Sequence, residues 1–395
     1  MLLLVLSAPV EAQFYFVTNN GAITITGYTG PGGMVVIPST TNGLLVTSIE
    51  TNAFLRCTNM TGVTIPNSIS NIGTYAFCVC TSLTSVTVPD SVINMGFGAF
   101  ASCSSLTNAI IGNGVESIGE SAFSHCGKLA SVIIGSGVTM IGNSAFYSCG
   151  KLPSVTIPSN VLNIDALAFD SCSALTNVTI CNGVTNIGGM AFAYCRSLPS
   201  ITIPSSVTRI SPLAFETCTS LTNITIPNSI SNIEAWTFPE CTSLTKVIIP
   251  GSVINIGDYA FSSCYALTSV YFKGNAPTLG GENVFSNPLI SSDTNATIYY
   301  LPGTAGWRSS FGGRPTMLWN PTIQTTSASF GVQTNQFGFT ITGTADIPIL
   351  IEANTSLASA GWIPLQTSIL TNGSIYFSDP QWTNYPARFY RLRSP

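Results

Sequence analysis

A period of 23 residues runs through most of this 395-residue chain and constrains its fold more than any other feature. Phenylalanine recurs ten times at this spacing without a slip, and each phenylalanine is followed three positions later by cysteine. Ten copies at one fixed period predict a solenoid, in which each coil buries its apolar side against its neighbours. The phenylalanines are Phe54, Phe77, Phe100, Phe123, Phe146, Phe169, Phe192, Phe215, Phe238 and Phe261, and the cysteines are Cys57, Cys80, Cys103, Cys126, Cys149, Cys172, Cys195, Cys218, Cys241 and Cys264.

Each repeat begins with a predicted strand. In one copy, Val86 and Val88 are apolar and alternate with polar residues, which is the period of a short strand with one buried side. Pro89 cannot donate to a hydrogen-bonded ladder, so we expect the strand to end there. Residues 91–95 then predict a return segment, either a second short strand or an irregular turn.

The end of each repeat predicts a helical turn. Phe100 and Cys103 are three positions apart, which places both side chains on one side of a single turn of helix. The predicted fold class is therefore an α/β solenoid of short parallel strands and short helical turns.

The full pattern LTxVxIPxSVxxIGxxAFxxC resembles the BspA-like leucine-rich repeat. Two copies that carry it are LTSVTVPDSVINMGFGAFASC at 83–103 and LTNITIPNSISNIEAWTFPEC at 221–241. The likeness covers about residues 35 to 275, with small departures such as Cys181 in place of the proline. The family occurs on exported and surface proteins of bacteria and some protists. The resemblance implies a curved α/β leucine-rich-repeat solenoid that, as is usual in the family, binds or adheres through its broad faces. It does not imply enzymatic activity.

The ends of the chain depart from the repeat and predict caps, because a solenoid must cover the apolar faces of its terminal coils. Near the N-terminus, Asn19-Asn20-Gly21 lies between two apolar runs and predicts a hairpin. At the other end, five short apolar runs separated by turn residues predict a small sandwich-like all-β module. The expected organisation is a signal-peptide remnant at 1–12, a β cap and first strand at 13–48, a ten-coil solenoid at 49–274, a C-terminal cap at 275–320 and the β module at 321–395.

The first twelve residues, MLLLVLSAPVEA, combine an apolar run with small residues at positions typical of a secretory cleavage site. The alternative is a buried first strand. We expect export, and hence a secreted or cell-surface location. No later stretch has eighteen uninterrupted apolar residues, so no membrane span is predicted.

Composition excludes several classes of function. Only 7% of the residues are charged, and Lys and Arg form no cluster that would neutralise nucleic-acid phosphates. The single histidine, His125, occupies a repeat position that elsewhere holds Ser, Thr, Tyr, Glu, Arg and Val, which is typical of a surface position. Without a second histidine or a fixed nucleophile beside it, we expect no catalytic residue, no enzyme activity, no metal site and no cofactor.

The cysteines predict a column of free, buried thiols. Ten of the twelve share one repeat position and would point the same way from coils ~4.8 Å apart. A disulfide instead needs Cβ atoms about 3.8 Å apart on converging bonds. Cys78 and Cys181 lie outside the column, more than four coils apart, and cannot reach each other.

The outward positions of the strands form the candidate interaction face. They are uncharged except for one lysine, and they are rich in hydroxyl and amide groups. A role in β-propensity and solubility alone is the competing interpretation, and Ile, Asn and Lys interrupt the array too often for an ice-binding face. The candidate residues are Ser85, Thr87, Ser154, Thr156, Asn177, Thr179, Ser200, Thr202, Asn223, Thr225, Lys246 and Tyr271.

Two functions remain open on the sequence alone. The first is an exported, non-catalytic interaction or adhesion protein whose solenoid binds a protein or glycan surface. The second is a structural, self-associating component of a cell surface or matrix, favoured by the low charge. The basic, aromatic C-terminal run RFYRLRSP is either a sorting or partner signal or the last edge strand of the β module.

Overall fold

The computed structural model describes residues 13–286, 295–358 and 360–393. The predicted signal segment lies outside the described residues. Contacts between Cα atoms divide the chain into two units. The solenoid unit comprises the described residues of 13–247, 252–267 and 278–295, and the C-terminal unit those of 248–251, 268–277 and 296–393.

The solenoid unit begins with an antiparallel hairpin. Strand β1 pairs with β2 across the predicted turn, where Asn20 and Gly21 have φ of 49° and 77°. The left-handed conformation at both positions matches the twist of a hairpin. The first strands are β1 Phe14–Asn19, β2 Ala22–Tyr28, β3 Gly33–Val36, β4 Thr40–Thr41 and β5 Leu44–Ile49.

Each repeat then contributes one longer strand and one two-residue strand. The longer strands are β6 Met60–Thr64, β8 Ser85–Val88, β10 Asn108–Ile111, β12 Ser131–Ile134, β14 Ser154–Ile157, β16 Asn177–Ile180, β18 Ser200–Thr202, β20 Asn223–Thr225, β22 Lys246–Ile249 and β24 Ser269–Phe272. The two-residue strands are β7 Asn71–Ile72, β9 Asn94–Met95, β11 Ser117–Ile118, β13 Met140–Ile141, β15 Asn163–Ile164, β17 Asn186–Ile187, β19 Arg209–Ile210, β21 Asn232–Ile233, β23 Asn255–Ile256 and β25 Thr278–Leu279.

Equivalent strands of successive coils pair in parallel and in register. Asn108 pairs with Ser85 on one side and Ser131 on the other, so residues 23 apart lie side by side. The two-residue strands form a second ladder from β5 to β19. The predicted solenoid is therefore confirmed, and the return segment is a second short strand.

The helical turn predicted in each repeat is wrong. The segment around Phe100 has positive φ at Gly98 and Ser102, both 58°, which an α-helix does not allow. Its backbone N–H groups alternate between partners: that of Phe100 donates to the carbonyl of Ala122 in the next coil at 2.8 Å, and that of Ala101 donates locally to Gly98 at 3.0 Å. The turn thus bonds to the neighbouring coil instead of closing helical bonds. The helices among the described residues are two three-residue 3₁₀ segments, Thr371–Gly373 and Trp382–Asn384.

The core of the solenoid unit is a continuous stack of aromatic rings. Successive phenylalanines from Phe54 to Phe285 have ring centroids 4.7–5.8 Å apart and planes within 13° of parallel. All of these rings are fully buried. The repeat therefore places one large apolar side chain of every coil directly against the next.

The cysteine column lies beside this stack and contains free thiols, as predicted. From Cys80 to Cys264, each thiol donates to the carbonyl of the phenylalanine 26 residues earlier, at 3.2–3.4 Å between Sγ and O. Burial raises the pKa of Cys126, Cys172 and Cys218 to about 12. These thiols serve as small buried groups that satisfy backbone carbonyls.

The C-terminal unit is built from β strands in a different arrangement. Strands β24, β26 and β28 pair in parallel, and β27 pairs antiparallel with β28. Two further sheets have the orders β29-β31-β30, where β34 also pairs with β31, and β33-β32-β35. The strands are β26 Thr297–Tyr300, β27 Ser310–Phe311, β28 Arg314–Leu318, β29 Thr322–Gln324, β30 Gly331–Gln333, β31 Gln336–Thr342, β32 Pro348–Asn354, β33 Ile363–Ile369, β34 Ser374–Asp379 and β35 Phe389–Arg393.

The core of the C-terminal unit joins these sheets. Phe339 from β31 and Ile351 from β32 lie in one buried cluster, together with Tyr271 from β24. Within the basic C-terminal run, Phe389–Arg393 form β35, which pairs with β32 and places Arg391 opposite Glu352. This pairing favours the edge-strand interpretation of the run.

Candidate binding surface

The sheet face is the surface formed by the outward side chains of strands β8 to β22. In β8, Val86 and Val88 are buried while Ser85 and Thr87 are exposed, as the alternating sequence predicts. In-register pairing then stacks equivalent residues, for example Thr156 beside Thr179 and Thr202 beside Thr225. Within each set of paired strands the structure therefore places members of a predicted column side by side, while β12 and β14, and likewise β16 and β18, belong to separate sheets.

Ten of the candidate side chains are exposed and make no hydrogen bond to any other described residue. They are Ser85, Thr87, Ser154, Thr156, Asn177, Thr179, Ser200, Thr202, Asn223 and Thr225. A neighbouring column behaves differently, since the hydroxyl of Thr84 donates to the carbonyl of Thr61 at 3.0 Å and that of Thr107 to Thr84 at 3.0 Å. The hydroxyls of the second column connect coils, whereas those of the sheet face are available to a ligand.

Two predicted residues differ from the other ten. Tyr271 was expected on the exposed face, but it is only 6% exposed and belongs to the core of the C-terminal unit. Its ring stacks on Tyr299 at 4.9 Å, so the assignment of Tyr271 to an interaction face is wrong. Lys246 is half-buried rather than fully exposed.

A cleft of about 500 Å³ opens on the sheet face near its N-terminal end. It is lined in part by Thr64, Ser85, Thr87 and Ile110, with Asp90 beside them. Strand β6 pairs with β3 whereas β8 pairs with β10, so the ladder is interrupted beside this cleft. The cleft presents both hydroxyl and aliphatic groups.

The turn side of the solenoid carries a row of residues that the sequence reasoning missed. The apolar ridge consists of Leu167, Met190, Leu213, Trp236 and Tyr259, each two positions before a core phenylalanine. In the three preceding coils the same position holds Gly98, Ser121 and Ser144. The available signal was this change from small to large apolar residues within a single repeat column.

Carboxylates lie on the turn side of the same coils. Burial raises the pKa of Glu216, with further contributions from the nearby charges of Glu240 and Asp170. Burial also raises the pKa of Asp165. The side chain of Glu240 accepts a hydrogen bond from Thr217 at 3.1 Å. This part of the solenoid therefore has an excess of negative charge.

The described residues hold no cluster of three or more His, Cys, Asp or Glu side chains with metal-binding geometry. His125 is exposed, as predicted, and its ring packs edge-on against Tyr147 at 5.1 Å. In the part of the chain that the structure covers, no helix has the length and apolar character needed to cross a membrane.

Comparison with known proteins found one family. The family model described as "BspA type Leucine rich repeat region" matches residues 47–176 and 163–291, in six copies. Together these ranges cover more than half of the chain. A comparison with curated proteins found no match.

Solved structures of leucine-rich repeat proteins are also similar. A leucine-rich repeat protein from Bacteroides ovatus is 24% identical with a TM-score of 0.49, and the alignment covers 79% of this chain and 99% of that one. A leucine-rich cell surface protein from Faecalibacterium prausnitzii is 28% identical with a TM-score of 0.43, covering 76% of this chain and 95% of that one.

Proposed function

Because the chain belongs to the BspA-type leucine-rich repeat family, we propose that it is a non-catalytic interaction protein whose solenoid binds a protein or glycan through the sheet face. Export to the cell surface or medium is part of the proposal. It is supported by the signal-like composition of residues 1–12 and by the character of the family that the repeat resembles.

The observation that carries the proposal is the row of ten exposed hydroxyl and amide side chains without partners among the described residues. Such groups donate and accept hydrogen bonds without the cost of removing a charge from water. Their in-register spacing of ~4.8 Å along the solenoid presents many equivalent weak contacts to an extended ligand. Ligands bound by charge alone are disfavoured, because Lys246 is the single charged member of the predicted face.

The cleft lined by β6, β8 and β10 is the proposed centre of binding. Its volume of about 500 Å³ lies within the range of roughly 300–1,000 Å³ that is usual for ligand pockets. Ser85 and Thr87 supply hydrogen-bonding groups, and Ile110 supplies an aliphatic surface. This combination suits a sugar ring or a short polar peptide segment.

The test is a binding screen of the labelled full chain against glycan and protein arrays, followed by variants. The double variant Ser85→Arg/Thr87→Arg fills the cleft, whereas Asn94→Arg adds the same side chain to an exposed residue of β9 in the same coil. We expect the double variant to weaken binding of any confirmed ligand at least about tenfold, as for residues at the centre of an interface. The control should bind normally.

Three results would count against the proposal: no ligand on any array, binding that survives the double variant, or equal loss in both variants. Light scattering of the purified chain separates the structural alternative. A monomer is expected, and assemblies that form at micromolar concentration would favour a self-associating component.

A further inference from the structure

The apolar ridge adopts a backbone conformation that its side chains disfavour. Leu167, Met190, Leu213, Trp236 and Tyr259 have φ between 56° and 62°, in the left-handed region. This region is strained for a residue with a side chain, because Cβ crowds the neighbouring carbonyl oxygen, and glycine or asparagine usually occupies it. Large apolar side chains at five such positions therefore need an explanation other than local propensity.

Earlier coils of the same solenoid show which residue types the fold accepts at this repeat position. Ser121 and Ser144 adopt the same conformation two positions before their phenylalanines, with φ of 56° and 54°, and Gly98 does so with 58°. The amide of Ser121 donates to Asn143 in the next coil at 2.8 Å, just as that of Leu167 donates to Gly189 at 2.9 Å. The coil therefore forms equally well with a small polar residue here.

The ridge residues stand at equivalent positions of five successive coils and are at least partly exposed. Trp236 is 39% exposed, and its ring stacks on that of Tyr259 with centroids 4.2 Å apart. Leu167, Met190 and Leu213 are half-buried. Five coils at ~4.8 Å spacing give a ridge roughly 19 Å long, which is the length of a helix of about 13 residues.

Acidic residues flank the ridge. Asp165 lies two positions before Leu167, Glu234 two before Trp236, and Asp258 directly before Tyr259. Between residues 165 and 258 there are six acids and three bases. Of these bases, Arg209 is paired with Glu234 at 2.8 Å and Lys246 lies on a strand of the sheet face.

We propose that the apolar ridge is a second binding surface, and that its partner is a basic amphipathic helix of another protein. The apolar side of such a helix would lie along the ridge, and its Lys or Arg side chains would meet the carboxylates beside it. The same carboxylates disfavour an anionic lipid surface. This proposal does not depend on the proposed role of the sheet face, so each of the two binding surfaces can be disproved without affecting the other.

The test uses two labelled peptides of about 14 residues, one with a helical Leu/Lys pattern and one with Glu in place of each Lys. We expect the full chain to bind the Leu/Lys peptide at least about tenfold more tightly in fluorescence anisotropy, and added salt to weaken that binding. Equal affinity for the two peptides, or no binding of either, would overturn the proposal.

The matched variants replace ridge residues by the residue that the chain itself uses in earlier coils. Leu213→Ser/Trp236→Ser should lower affinity for the Leu/Lys peptide at least about tenfold, while Thr202→Ala/Thr225→Ala on the sheet face should leave it unchanged. Leu167→Ser alone gives a second, milder test if the double variant does not fold by circular dichroism. Unchanged affinity in the folded ridge variants would contradict the proposal, as would ridge-dependent binding to phosphatidylcholine vesicles that exceeds binding to the peptide.

Discussion

The two units of this chain satisfy their buried polar groups with different kinds of interaction. In the solenoid unit, nine buried thiols bond to carbonyls of the preceding coil, and turn amides bond to the following coil. In the C-terminal unit, buried carboxylates are paired with arginines: the buried Arg388 side chain lies 2.7 Å from Asp379, and the partly exposed Arg391 lies 2.6 Å from Glu352.

The difference follows from repetition. A coil with identical neighbours finds a donor or acceptor in the same place each time, so uncharged backbone and thiol groups suffice. The strands of the C-terminal unit have no such copy beside them, and single polar positions are satisfied by specific side chains. Asp379, for example, also accepts a hydrogen bond from the hydroxyl of Tyr390 at 2.9 Å. The low charge of the chain is thus a property of the repeat.

The largest effect is expected from removing one ring of the aromatic stack. Phe146 is fully buried between Phe123 and Phe169, at 5.4 and 5.2 Å. Phe146→Ala should cost about 3–5 kcal/mol, because it leaves a cavity and removes two ring contacts. Hydrogen exchange should become faster in the neighbouring coils. Phe330→Ala, at a 40% exposed ring, should have little effect, and unchanged exchange in Phe146→Ala would contradict a continuous stack.

In the C-terminal unit, loss of one charge should cost somewhat less, about 3 kcal/mol. Asp379→Ala leaves the Arg388 side chain, which is 9% exposed, without its carboxylate. Replacing both charges, as in Asp379→Leu/Arg388→Met, should recover much of the loss, since apolar pairs often substitute well for buried ion pairs. Denaturant unfolding of both variants measures this. Equal stability of the single variant and the unaltered chain would show that the ion pair does not matter.

A single thiol should contribute less than a ring or an ion pair. Cys149→Ala removes the thiol bond to the carbonyl of Phe123, 3.2 Å away, and leaves that buried carbonyl with one donor, the backbone amide of Cys126 at 3.2 Å. The expected loss is about 1 kcal/mol, the usual net contribution of one hydrogen bond. Cys57→Ala, at a half-buried position at the start of the column, is the control and should cost less. If Cys149→Ala leaves the stability unchanged, the thiols of the column only fill space and their hydrogen bonds do not stabilise the fold.

The smallest effect should appear on acidification. Burial raises the pKa of Asp165, Asp170 and Glu216 above their ordinary values of 3.8 and 4.5. The folded state therefore holds these protons more tightly than the unfolded state, and stability should increase as pH falls from 7 toward those ordinary values. Urea midpoints across this range measure the slope. Asp170→Asn/Glu216→Gln should make this slope smaller. A urea midpoint of the solenoid that decreases steadily as the pH is lowered would contradict the raised carboxyl pKa values.

The period predicted the strands but not the turns. The alternation of Val86 and Val88 identifies β8, because burial and side-chain direction share a period of two. The positive φ of Ser102 and Leu167 is not visible in the sequence, since neither residue type favours that conformation. Tyr271 stands in the same repeat column as Thr87, and only the packing of the C-terminal unit decides that it is buried.

The candidate surfaces divide in the same way: the surface on the strands was predictable from the sequence, and the surface on the turns was not. The exposed hydroxyl columns follow from the strand pattern, whereas the cleft depends on how β6, β8 and β10 pack together. The exposure of the apolar ridge depends on the turn geometry, because Leu213 and Trp236 look like ordinary core residues in the sequence alone.

Uncharged, non-covalent contacts repeated from coil to coil hold the solenoid together. The decisive experiment is alkylation of the unfolded chain without reductant, with the adducts counted by mass spectrometry. All twelve cysteines should be modified after unfolding, whereas in the folded chain the buried column should resist modification, because burial raises the thiol pKa values. Fewer than twelve adducts after unfolding would reveal disulfides and contradict the account.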